Sequence, residues 1–175
     1  MTTSQANVNE TARIVDQLQR AFDGYAWSGP SLLTTLQGLN ATQAATRLLP
    51  QAHCIWEIVL HLTAWIETVQ QRTQQDKLIE LSAAADWPPI PSSADEATWQ
   101  QALTGLRQAH THLINTVTQL TDTDLERQLG GSRDHEQGGG VSYYVTLHYV
   151  TLHGLVQHNL YHAGQIALLR KGLVP

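Results

Sequence analysis

The chain has 175 residues, 42% apolar and only 14% charged, long enough to bury a core and not composed like a disordered polymer. Its net charge of −5 without any Lys/Arg cluster argues against a nucleic-acid partner, and a single cysteine, Cys54, excludes an intrachain disulfide framework. The polar start has no signal-peptide pattern and no apolar run approaches the ~20 residues of a membrane span, so one soluble, cytoplasmic domain over residues 1–175 is expected.

In chain order the pattern is helical. Over residues 9–27, Ile14, Leu18, Ala21, Phe22 and Tyr25 recur at the three-and-four spacing of an amphipathic helix, which Ser28-Gly29-Pro30 breaks. Short helical pieces are expected at 31–37 and 42–48, and a second long helix at 54–74 with Ile55, Ile58, Val59, Leu62, Trp65, Ile66 and Val69 inward. Residues 82–93, with Trp87-Pro88-Pro89-Ile90-Pro91, read as an extended, non-helical linker. A third long helix starts near Ser93 or Asp95, either of which suits an N-cap, and runs to Leu120. Weak strand pairing between 125–129 and 141–145 is expected around a glycine-rich loop carrying His135, read as a solvated loop histidine. The last helix, 142–172, is apolar nearly all round and should be the most buried element, with Gly172 as its stop. Four long helices in a chain of this size predict an all-α four-helix bundle, whose sites are built by side chains on facing helices.

The last helix carries His158-Asn159-Leu160-Tyr161-His162. Two imidazoles four residues apart share a helix face and can grip one metal ion, yet nine histidines in 175 residues give roughly 0.45 such pairs by chance. A third ligand sharpens the reading. His61 lies among core-facing residues of the second long helix, where a buried polar group needs a partner. If the two helices pack side by side, His61, His158 and His162 close a three-imidazole site that suits Zn, Ni or Fe and leaves a coordination position open. Glu57, one turn before His61, is a candidate general base or orienting carboxylate, and Gln165, about one turn after His162, a candidate for orienting a ligand. Asn159 stands where the zinc-protease motif His-Glu-x-x-His has its base, which excludes that peptidase chemistry. His53, His110, His112, His148 and His153 are read as surface or hydrogen-bonded core groups, Cys54 as a small buried residue, and Trp65 and Tyr161 as packing residues able to line a pocket.

The stretches Ile55-Trp56-Glu57-Ile58-Val59-Leu60-His61-Leu62-Thr63-Ala64-Trp65 and His158-Asn159-Leu160-Tyr161-His162-Ala163-Gly164-Gln165-Ile166-Ala167-Leu168-Leu169-Arg170, with Ser31-Leu32-Leu33 after the first helix, resemble the signature helices of the DinB/YfiT-like family of metalloenzymes. The resemblance implies up-down-down-up topology, frequent homodimers, and a divalent metal held by His61, His158 and His162. Relatives include transferases and isomerases that use bacillithiol or mycothiol, and others described as metal-dependent hydrolases. The expected function is therefore a metal-dependent enzyme acting on a small molecule, activating either water or a low-molecular-weight thiol. The alternative is a metal-free dimeric bundle serving as a binding or stress-response module.

Overall fold

The computed structural model describes residues 9–129 and 148–173. The His135 loop, the expected strand at 141–145 and the first six residues of the expected last helix lie outside the described residues.

Helix α1 spans Glu10–Asp23, capped by Asn9, whose side chain accepts from the Ala12 amide. It stops four residues short of expectation. A Cβ at Gly24 would meet the Arg20 Cα at 2.8 Å, and the chain turns away there. Tyr25, expected on the inner face, is consequently exposed, because helical spacing ceases to govern once the helix has ended. Short helices α2 (Leu32–Leu36) and α3 (Ala41–Ala45) follow, α3 opened by a capping box between Asn40 and Gln43.

Helix α4, Ile55–Gln75, begins at Cys54 and ends where Asp76 adopts left-handed backbone at φ 51°. The expected linker contains one helical turn, α5 (Ala83–Asp86), because Ser82 caps it, and the non-helical stretch starts only at Trp87. Helix α6 spans Glu96–Thr118 with Asp95 as N-cap, its carboxylate accepting from the Thr98 amide at 2.8 Å. The expected strand from 125 is replaced at its start by a helical turn, α7 (Asp122–Leu125), closed by Asp124 accepting from the Thr121 amide and hydroxyl at 2.7 Å. Helix α8 covers His148–Gly172 and stops at the expected glycine.

Among the described residues the regular structure is all helical, with isolated bridge positions at Ala26 and Gly29, which pair with each other, and at Gln128, inside the stretch expected to pair as a strand. The long helices α1 and α4 each pack against both α6 and α8. Their shared core holds Ile14 and Leu18 of α1, Trp56 and Leu62 of α4, Trp99 and Leu106 of α6, and Leu152 and Ile166 of α8. Each such side chain removed from water contributes about 1.5–3 kcal/mol. Of the long helices, α4 and not α8 is the most buried among the described residues: eleven of its 21 residues are buried, against nine of 25 in α8. Tyr161 and Leu168 face outward, so the all-round apolar pattern of α8 does not mean all-round burial. Among the described residues, no helix is long and apolar enough to cross a membrane.

Candidate metal centre

The packing of α4 against α8 brings His61 to the His158–His162 face. His61 Nε2 lies 3.0 Å from His158 Nε2, which lies 3.1 Å from His162 Nε2. The three donor nitrogens all fall within 4.8 Å of one another. The four-residue step on α8 aligns two of them, and the helix–helix contact supplies the third.

Neighbouring acceptors decide which ring nitrogen carries the proton. His61 Nδ1–H donates to the Asp86 carbonyl at 2.7 Å, an atom that can only accept, so His61 Nε2 presents its lone pair. His162 Nδ1–H donates to Gln165 Oε1 at 2.7 Å, while the Gln165 amide nitrogen donates to the Tyr161 hydroxyl at 3.0 Å and keeps the oxygen turned inward. His162 Nε2 therefore also presents a lone pair. A proton on His158 Nε2 serves only one of the two acceptors facing it, whereas one cation serves all three nitrogens. The donor set thus fits a divalent metal of the Zn, Ni or Fe type.

Electrostatics points the same way. Burial, reinforced by the neighbouring imidazoles, pushes His158 down to about 3. Burial pushes His162 down to about 4 and lowers His61 against the opposing pull of Asp86. All three rings are neutral near pH 7, the form that ligates metals.

Around them the chain builds a tight collar. The Asp86 carboxylate stands 3.2 Å from His61 Nδ1 and accepts from Trp65 Nε1 at 2.6 Å. The Trp87 ring stacks on His61 at 3.8 Å and on His53 at 3.6 Å, lying between the two imidazoles. Sequence reasoning missed Asp86 and Trp87 because they sit in an aperiodic, proline-rich connector. The Trp-Pro-Pro run was the available signal, since a large aromatic in such a linker needs a surface to cover.

The other candidates separate clearly. Gln165 lies against His162. Glu57 is not in the histidine cluster. Its oxygens accept from Arg47 at 2.6 and 2.8 Å, and one also accepts from the Cys54 amide at 2.9 Å, the return half of a capping box. Arg47 and the Cys54 contacts hold its carboxyl below the usual range against the effect of burial, so it is an ionised cap. Cys54 is buried and its thiol is pushed up by that burial, as suits a packing residue. His110 stacks on Phe22 at 3.7 Å, and His148 Nε2 meets Asp76 at 2.7 Å. His153 is outside the cluster, 3.8 Å from Glu10.

Beside the centre lies a cavity of about 700 Å³, lined by His61 and His158 together with Trp65, Val69, Asp86 and Leu155 among others. Its size suits a small organic ligand. Comparison with known proteins names the family: the model for mycothiol-S-transferases matches residues 27–174. No curated protein and no solved structure matches the chain significantly. The family match takes in His61, Asp86, His158, His162 and Gln165, and the chain belongs to the mycothiol-S-transferases, a DinB/YfiT-like family.

Proposed function

We propose that the protein is a divalent-metal-dependent thiol S-transferase that joins mycothiol, or a related low-molecular-weight thiol, to a small electrophile held in the adjacent cavity. The observation that carries this reading is the convergence of three neutral imidazoles, two of which, His61 and His162, have their Nε2 lone pairs prepared for ligation by Asp86 and Gln165. The family supplies the choice of thiol over water as the activated group.

His61, His158 and His162 would hold the cation, with the Asp86 carbonyl and Gln165 fixing the outer two rings. A divalent cation bound there supplies Lewis acidity that favours the thiolate form of a thiol near neutral pH. The Asp86 carboxylate, on the cavity wall, accepts the thiol proton. The sulfur then forms its bond to the electrophilic carbon. The leaving group departs with its bonding pair and takes the proton back from Asp86. Trp65 and Trp87 keep water from the ring faces. The wider proposal is one up-down-down-up bundle domain acting in the cytoplasm as a homodimer, with Glu57 holding the start of α4.

Metal analysis after reconstitution should find about one equivalent in the native protein and a loss of most of it in His162→Ala. Less than about half an equivalent in the native protein would overturn the metal reading and favour a metal-free binding module. Loaded native protein should then conjugate a chloronitrobenzene electrophile with mycothiol, bacillithiol or glutathione, and His162→Ala should not.

A further inference from the structure

The cavity beside the histidines runs along one face of α4. His61, Trp65, Val69 and Arg72 follow one another at helical spacing and all line it. Arg72 lies three turns beyond His61, about 16 Å along the axis. Its guanidinium nevertheless folds back over Trp65, 5.4 Å from the ring centroid, and that ring is 5.8 Å from the His158 ring. A molecule the size of a small aromatic acid can therefore touch both ends.

Arg72 is only 8% exposed, yet its charge has no ion-pair partner among the described residues. Nε–H donates to the Ile79 carbonyl at 2.8 Å and an Nη2–H donates to the same oxygen. A guanidinium has five N–H donors, so three find no partner among the described residues. No carboxylate among those residues lies within ion-pair distance. Glu80 acts on it only through its field, and burial lowers the Arg72 pKa without removing the charge. Tying Ile79 to the last turn of α4 needs a donor, which a neutral amide supplies. It does not need a buried cation, and burying one without an anion is costly.

We propose that Arg72 is a specificity-determining residue that binds the carboxylate of an acidic electrophile, whose apolar body lies along Trp65 and Val69 with its reactive carbon toward His158. This rests on the transferase reading above and names its substrate class: small organic acids with an apolar body. A guanidinium fork meets a carboxylate through two parallel hydrogen bonds, which fixes orientation as well as affinity. The apolar wall, completed by Val150 and Leu155, disfavours a second charge.

Calorimetric titration with phenylpropionate and with its neutral amide tests the assignment, first on metal-free protein in chelator and then on the Zn²⁺-loaded form. Metal-free native protein should bind the acid at least about tenfold more tightly than the amide. Arg72→Gln, which keeps a donor for Ile79, should erase the preference, and Arg72→Lys should retain part of it. Equal affinities in the native protein, including no binding of either, overturn the proposal. So does a preference that survives Arg72→Gln, or one that appears only with Zn²⁺, which assigns the carboxylate to the metal. If Arg72→Gln does not fold, the native comparison and Arg72→Lys still decide. Because the decisive titration contains no metal, its failure leaves the metal analysis of His162→Ala untouched, and failure of metal binding leaves the acid preference measurable.

Discussion

Replacing Gln165 with leucine removes one acceptor and tests the proposed preparation of the site. The side chain keeps a similar volume, but His162 Nδ1–H loses the oxygen 2.7 Å away and is left buried without a partner. A neutral hydrogen bond contributes about 1 kcal/mol, and an orphaned buried donor costs about 1–3 kcal/mol. The cheapest escape is to move the proton to Nε2, which destroys the lone pair that would face the metal. Since about 1.4 kcal/mol is tenfold in affinity, Zn²⁺ binding should weaken roughly ten- to hundredfold at unchanged stoichiometry. Competition against a chromophoric chelator measures this directly. Gln165→Glu, which keeps the acceptor, should stay within about threefold of the native protein or bind more tightly. Tyr161→Phe should matter less, because Tyr161 is 63% exposed and only steadies the amide. If Gln165→Leu binds Zn²⁺ like the native protein, or if Gln165→Glu weakens it equally, the protonation argument is wrong.

Three further outcomes are expected. Glu57→Ala should cost about 1–2 kcal/mol in urea denaturation by removing the α4 cap, while thiol transfer by the folded variant stays within about threefold; a loss of turnover beyond about a hundredfold would instead mark Glu57 as a base. His110, 7% exposed and stacked on Phe22, is pushed down to about 4 by burial. In the unfolded chain it titrates near 6.5, so between those values only the unfolded state takes the proton; stability is full above pH 6.5 and falls by up to about 3 kcal/mol as pH drops to 4. His110→Leu should flatten that decline by one proton's worth in denaturation curves at pH 7.5 and 4.5, and an unchanged slope would refute the assignment. Asn159 is fully buried, with neither amide atom partnered among the described residues, so Asn159→Leu should raise the stability measured by urea denaturation by about 1 kcal/mol, and a destabilised variant would reveal a partner for that amide.

The long helices and the three histidines were legible because both depend on local period. Apolar residues every three or four positions mark α1, α4 and α6, and His61 stood out as a polar group inside such a stripe. What period cannot carry is the return of an aperiodic segment. Asp86 and Trp87 reach the centre through a one-turn helix and a proline-rich connector, and their role exists only once α4 and α8 are side by side. Glu57 is ambiguous in sequence for the opposite reason. Its spacing from His61 suits catalysis, but the same spacing from Cys54 suits a cap, and Arg47, ten residues earlier, settles its carboxylate in the cap. Arg72 reads in sequence as an ordinary cation in the last turn of a helix, and only its burial distinguishes it.

Trp87 lies between His53 and His61 like a page between two covers. The connector that carries it is held by aromatic faces, by the Asp86 contacts to His61 and Trp65, and by Trp87 and Ile90 packed on the core. The His61 imidazole therefore cannot turn without disturbing Asp86, 25 residues downstream. By reciprocity, whatever steadies that connector also sharpens the aim of His61, and whatever occupies the centre slows the connector's opening. Amide exchange and protease cutting within residues 82–93 then become a remote gauge of what the three histidines hold.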